Sequence, residues 1–292
     1  MHPKLTVAPR IAVLAVVVAL SGCSAVPSQP STTASAAGSA AGSAAGSART
    51  PFPGGAQADY QLGGAYPVPA GTAVVTRDSG AEPAPGVYSI CYVNGFQSQP
   101  GETAAWLRDH PDLVLGGAAD PVVDAGWPDE IIFDTSTDRR RAAIVAALRP
   151  TLQRCTDAGF NAVEIDNLDS FTRSGGALTA ADNIALVTLF AAETHALGLA
   201  IGQKNSAELA ARLRTEVGFD FAVTEECDRF AECSVYTDAY GDDVLDIEYS
   251  DDLRDSFAEA CARSDRPRSM VLRDRGLVAD TDSGYVFEHC PS

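Results

Sequence analysis

The sequence predicts an α/β fold, a single eight-stranded (β/α)8 TIM barrel, on three observations. Eight short apolar runs recur between positions 73 and 274, helical patterns separate several of them, and two of the runs stop at clustered carboxylates. Strands covered on both faces read as continuous apolar runs, and their alternation with helices indicates a parallel sheet. The segment from 51 to 292 has the length of such a barrel, for which about 250 residues is typical. An open doubly wound sheet would alternate similarly. It is disfavoured because no Gly-x-Gly-x-x-Gly stands at a strand–helix junction.

The strand candidates are 73–78, 89–94, 131–136, 162–167, 200–205, 220–225, 244–249 and 269–274. The helical pattern over 139–157 is rich in Ala and Leu and stops at Gly159, and that over 179–197 opens on a capping Thr and stops at Gly198. Shorter helices are expected over 206–215 and 251–264.

The N-terminus reads as a signal. Lys4 and Arg10 precede or open an apolar run, 11–20, which is too short to span a bilayer. Leu20-Ser21-Gly22-Cys23 follows, which resembles a lipobox; lipidation of Cys23 is the reading adopted over an ordinary cleaved signal. The expected organisation is a signal peptide over 1–22, a tether over 23–50 and a barrel over 51–292. The tether is almost wholly Ser, Ala, Gly, Pro and Thr, has nothing to bury, and would reach roughly 25–30 Å. The expected location is the outer face of the cell membrane, held by a lipid anchor.

With 39 acidic against 21 basic residues the formal charge is −18. Nucleic acid, whose phosphates such a chain repels, is not an expected partner, whereas a cationic ligand would be attracted. Setting Cys23 aside leaves Cys91, Cys155, Cys227, Cys233, Cys261 and Cys290, an even set suited to disulfides outside the cytosol. Cys227 and Cys233 are near enough to staple one loop, and Cys261 with Cys290 would fasten the C-terminus. Cys-x5-Cys without nearby histidine does not match zinc spacing, so neither a metal nor another cofactor is expected.

The candidate chemistry lies at strand ends. Ala162, Glu164 and Asp166 share one face of a strand, and if that face is the barrel interior, Asp166 lies at the rim with Glu164 one layer below. Lys204, in Gly202-Gln203-Lys204-Asn205, would stand between two acid-bearing strands and hold a neighbouring carboxylate ionised. Asn205 is a candidate for orienting a sugar hydroxyl, and Asn167 is expected at the same substrate site as a donor beside Asp166. Glu225 and Glu226 compete for the next acid-bearing strand end, and alternation alone does not choose between them. Asp78, Glu248 and Tyr249 also close strands, while Tyr92 and Trp127 could stack on sugar faces. The four histidines suggest neither a metal site nor a triad.

In order, Ile90-Cys91-Tyr92-Val93, Trp127-Pro128-Asp129-Glu130, Gly159 through Asn167, Gly202-Gln203-Lys204-Asn205, Phe219 through Cys227 with Cys233, and Ile247-Glu248-Tyr249 resemble glycoside hydrolase family 114, the endo-α-1,4-polygalactosaminidase barrels. The resemblance covers nearly all of 60–275. It implies a metal-free β/α barrel that hydrolyses α-1,4-linked galactosamine or N-acetylgalactosamine polysaccharide, with Asp166 and Glu225 as the catalytic pair. Asp166 is then expected as nucleophile and Glu225 as acid/base with a raised pKa, the exchange of roles and the anomeric outcome staying open. The loop Asn94-Gly95-Phe96-Gln97-Ser98-Gln99-Pro100-Gly101-Glu102 departs from the family's Ser- and Arg-bearing pattern. A carbohydrate-binding lipoprotein without catalysis, or a hydrolase of another extracellular glycan, are the alternatives.

Overall fold

The computed structural model describes residues 49–291. The expected signal peptide, Cys23 and nearly all of the expected tether lie outside the described residues. Eight parallel strands pair in sequence order: β1 (Ala58–Gln61), β2 (Val74–Asp78), β3 (Tyr88–Asn94), β4 (Ala162–Asp166), β5 (Ala200–Lys204), β6 (Phe221–Glu225), β7 (Val244–Tyr249) and β8 (Ser269–Arg273). A ninth, β9 (Phe287–His289), runs antiparallel to β8. The seam between β1 and β8 is closed by side chains. Buried Arg273 donates from Nη1 to Asp59 Oδ1 at 2.8 Å and to the Tyr60 carbonyl, and the His289 imidazole lies 2.7 Å from the Ala58 carbonyl.

The expected barrel is therefore present, with two strand assignments corrected. Residues 131–136 are not a barrel strand. They form isolated antiparallel bridges, Gln97–Ile132, Val114–Phe133 and Val123–Ile131, inside the long excursion between β3 and the next barrel helix. The place is taken by β1, whose Asp59 and Gln61 are buried polar residues that hold Arg273 and Arg77. Such polar content hides a strand from an apolar-run reading.

The helices are α1 (Thr103–Asp109), α2 (Asp138–Ala158), α3 (Ala180–Ala196), α4 (Ala210–Arg212), α5 (Cys233–Tyr240) and α6 (Phe257–Ala262). Thr137 caps α2 by accepting from the Arg140 backbone N–H, and left-handed Gly159 ends it. A capping box of Thr179 and Asp182 starts α3. Short α4 lies between a 3-10 turn (Ala207–Leu209) and a π-helical turn (Leu213–Val217), so the helix expected over 206–215 is a composite. The helix expected over 251–264 is reduced to α6.

Two apolar layers follow from strand alternation. Ile90, Ala162, Val223, Leu245, Ile247 and Val271 pack inside the barrel, while Val163, Ile165, Ile201, Ala222 and Leu272 pack outward against the helices. At the N-terminal end Phe52 enters the barrel axis, stacked on Phe221 at 4.8 Å and edge-on to Tyr88 at 5.8 Å. Above it, inward-facing Gly202 has to be glycine, because a Cβ there would stand 2.4 Å from the Phe221 ring.

Three disulfides fasten the shell. Cys227–Cys233 and Cys261–Cys290 are the two expected pairs, and Cys91–Cys155 joins β3 to α2. No helix among the described residues is long and apolar enough to cross a membrane.

Candidate active site

The register that sets the barrel also sets the site. Tyr92 pairs across with Glu164, and Asn94 with Asp166. Because alternate residues point inward, Tyr92, Glu164, Asp166, Lys204, Glu225 and Tyr249 all face one space at the C-terminal end of the strands.

Lys204 is the hub. Its Nζ lies 3.0 Å from Glu225 Oε2, 3.4 Å from Asp166 Oδ2 and 3.6 Å from Glu164 Oε1, with the Tyr60 and Tyr92 rings at 5.5 and 5.7 Å. The ammonium is buried. Burial alone would lower its pKa, yet Asp166, Glu225 and Glu164 raise it well above the usual lysine value. It is a fixed positive charge among three carboxylates.

Asp166 is gripped from three sides. Tyr92 Oη donates to Oδ2 at 2.7 Å, the Asn167 backbone N–H donates to Oδ1 at 2.6 Å, and Lys204 completes the set. Glu225 accepts from Tyr249 Oη at 2.5 Å on Oε1, and from Asn205 Nδ2 and Lys204 Nζ, both at 3.0 Å, on Oε2. Asn205 Oδ1 also accepts from the Glu225 backbone N–H at 2.8 Å. Asn205 thus clamps Glu225 with both ends of its amide instead of pointing at a sugar.

The electrostatics run against one expectation. Burial works to raise the Glu225 carboxyl, but Lys204, Tyr249 and Asn205 outweigh it and hold the pKa below the usual glutamate value. In the free protein Glu225 is ionised, where a raised pKa was expected of the acid/base. Glu164, wholly buried beneath the pair, goes the other way: burial pushes it up to about 7 against the pull of Lys204 and the 2.6 Å hydrogen bond donated by Tyr60. Tyr60, Tyr92 and Tyr249 are all raised, burial being the first cause, so they act as neutral hydroxyl donors.

Geometry separates the two adjacent glutamates. Glu226 has a positive φ of 62° and turns outward to Arg275 at 2.9 Å, leaving Glu225 alone in the cavity. Asn167 and Asn205 are likewise left-handed, at 66° and 49°. Thus β4, β5 and β6 all leave the barrel through strained residues, a feature that concentrates at functional sites.

The other candidates divide. Tyr249 is in the site, and Asp78 is at the rim, its carboxylate accepting from Gln99 Nε2 at 3.0 Å and from the Gly80 N–H at 2.6 Å. The side chain of Asn167 turns aside to Asn94 and Arg173. Trp127 is 64 % exposed on the excursion after β3. Glu248 is corrected: it points outward from β7, wholly buried, accepting from the Asp228 backbone N–H beside Asp246. Inward Ile247 and Tyr249 fix its opposite direction. Tyr60 and Glu164 went unassigned in the sequence reading; β1 was not recognised, and only alternation from Asp166 marked Glu164.

A possible metal cluster of Cys227, Cys233 and Asp246 does not suit an ion, because the two sulfurs are bonded to each other.

Comparison with known proteins gives this geometry a context. Ega3 of Aspergillus fumigatus, solved in complex with galactosamine, superposes with a TM-score of 0.65 at 22 % identity, covering 84 % of this chain and all of that one. The glycoside hydrolase domain of PelA from Pseudomonas aeruginosa superposes with a TM-score of 0.56 at 16 % identity, covering 79 % of this chain and 97 % of that one. These likenesses establish the barrel fold. No curated protein matches the chain. The model of the glycoside-hydrolase family GH114 matches residues 38–292, so the chain belongs to that family and is a glycosidase.

Proposed function

We propose that this protein hydrolyses an α-1,4-linked polymer of galactosamine and N-acetylgalactosamine outside the cell, with Asp166 and Glu225 as the reacting carboxylates. The observation that carries the reading is Lys204, whose single ammonium contacts both acids at the open end of the barrel. The solved complex of Ega3 with galactosamine supports an amino-sugar substrate, and the net charge of −18 suits a partly cationic polymer.

Because one Nζ reaches both acids, their nearest oxygens are no more than about 6.4 Å apart. Acids this near can flank one glycosidic bond, and we take the retaining course, in which one carboxylate attacks directly and not through a water. Asp166, aligned by Tyr92, Asn167 and Lys204, attacks the anomeric carbon as the bond to the leaving oxygen breaks. Glu225 supplies a proton to that oxygen and later takes one from water. To donate, Glu225 must gain a proton as the complex forms, which substrate groups drawing Lys204 off its Oε2 would promote.

The reverse assignment, Glu225 as nucleophile and Asp166 as acid, is favoured by the low pKa of Glu225 in the free protein. A mechanism-based fluoroglycoside of galactosamine, followed by peptide mass analysis, decides between them by which residue carries the label. The polymer assignment is tested by incubating purified protein with α-linked galactosamine, N-acetylgalactosamine and unrelated polymers. Shortened amino-sugar oligomers are expected. Binding with no new reducing ends would replace the enzyme reading with that of a glycan-binding lipoprotein, and cleavage of another polymer alone would replace the substrate.

Attachment to the membrane through Cys23 belongs to the same proposal and rests on the apolar run at 11–20 followed by Leu20-Ser21-Gly22-Cys23. Dual acylation would make such an anchor stable. Cys23→Ala is expected to release the protein into the medium; retention in the membrane fraction would exclude the lipid anchor.

A further inference from the structure

The reacting pair accounts for two of the three carboxylates around Lys204. The third, Glu164, lies wholly buried on β4 two residues below Asp166, and no substrate-facing role has been given to it. Its Oε1 accepts from Tyr60 and lies 3.6 Å from Lys204 Nζ, while its Oε2 is buried with no hydrogen-bond partner. A buried carboxylate oxygen without a partner is costly. A protein selected for stability alone would place an apolar residue there, as it does with Ala162 one layer down and Ile247 across the barrel.

Resting on the proposed carboxylate pair, we propose that Glu164 is a positioning residue for the glycosidic reaction, acting by competing with Asp166 and Glu225 for the single ammonium of Lys204. The physics is competitive. When Glu164 is neutral, Lys204 is opposed only by the two reacting carboxylates, so the acid that must donate gives up its proton at lower pH. When Glu164 is charged, it draws on the same ammonium and adds a negative field, so that one member of the pair keeps a proton to higher pH. Burial pushes the Glu164 ionisation up to about 7. The groups facing it are Tyr60 from β1, Tyr92 from β3, Asp166 from β4, Lys204 from β5, Glu225 from β6 and Tyr249 from β7. The three tyrosines stay neutral, so the carboxylates and the ammonium share all the titrating charge.

The test is the pH profile of kcat and of KM for polymer cleavage by full-length protein carrying Glu164→Gln, with Tyr60→Phe as a second variant. Glu164→Gln mimics the neutral acid. Below pH 6 its rate is expected within about threefold of the unaltered protein, while its basic limb moves to lower pH by about one unit, with KM little changed. Tyr60→Phe removes the donor that favours the charged form, so its limb moves the same way by less. A uniform loss of rate at every pH, or limbs that superimpose on those of the unaltered protein, would overturn the role of Glu164. Asp166→Asn separates the two ideas. If that variant is inactive while the Glu164→Gln limbs do not move, only the present inference fails; if it keeps full activity, the carboxylate-pair reading fails and this inference with it.

Discussion

Tyr249 at the end of β7 donates a 2.5 Å hydrogen bond to Glu225 at the end of β6, and with Asn205 it is one of two neutral donors beside the Lys204 ammonium. A donor to a charged acceptor is worth about 1.5–3 kcal/mol. Tyr249→Phe is therefore expected to reduce kcat by roughly 10- to 100-fold and to raise the pKa of Glu225, since the ionised form loses a donor. Rate measurements across pH would show both, and an unchanged profile would remove Tyr249 from the catalytic set.

The two neighbouring glutamates give a sharper contrast. Glu225→Gln is expected to lose at least about 10³-fold in kcat, in the range of general acid–base contributions. Glu226→Gln weakens a part-buried ion pair with Arg275, which faces away from the cavity, and should cost no more than about fivefold, the equivalent of about 1 kcal/mol. Equal losses would show that the loop after β6 adopts a different turn when substrate binds.

Stability should fall as the solution is made less acidic across neutrality. Glu164 and Glu248 are both raised by burial to about 7, against about 4.3 in an unfolded chain. Between these values the folded state retains protons that the unfolded state releases, so stability declines as pH rises from about 4.3 to about 7, and Asp246, held well above its ordinary value by burial and by Glu248 beside it, adds to the decline. Glu225, whose pKa is depressed, gives stability that is lost only as pH falls below its unfolded value, outside this window. Thermal melts at pH 5 and 7.5 should show a higher Tm at pH 5, and Glu248→Gln should shrink the difference. A larger difference in that variant would refute the assignment.

The disulfides should separate stability from activity. Cys91–Cys155 closes 64 residues and Cys227–Cys233 only 6, which chain entropy converts to about 4 and about 2 kcal/mol. Removing the long bridge by paired Cys→Ala changes should lower Tm more. Removing the short one should lower kcat more, because its loop follows Glu225 directly.

Trp127 is well exposed on the excursion after β3. Trp127→Ala is expected to leave Tm within about 1 °C, as surface changes usually lie within about 0.5 kcal/mol. If the indole stacks on the polymer, KM rises severalfold for long substrates and little for short ones. Equal KM for both would mean that the ring serves another purpose.

The barrel is legible in the chain because most strands are buried on both faces and so carry short apolar runs, with their polar residues gathered mainly toward the strand ends. β1 carries too little apolar signal: it is four residues long, and two of them, Asp59 and Gln61, serve the seam with β8 and the Arg77 contact. Residues 131–136 misled for the opposite reason. Ile131, Ile132 and Phe133 are buried as a strand would be, but beneath an excursion and not in the sheet. Asp166, Lys204 and Glu225 could be placed at strand ends from sequence, yet the choice of Glu225 over Glu226 depends on a single backbone φ. The ionisation of Glu225 depends on distances to Lys204 that no linear pattern encodes.

Apolar side chains fill the barrel axis below the carboxylates, down to the ring of Phe52 stacked on Phe221 at its far end, so the barrel is a blind well. A long polysaccharide cannot thread through it and has to lie across the opening, dipping one residue toward the carboxylates. Chain ends and chain interiors are then equally admissible at the bottom of the well. Which of them is cut is governed by how far the loops after β3 and β6 leave a trough open on both sides.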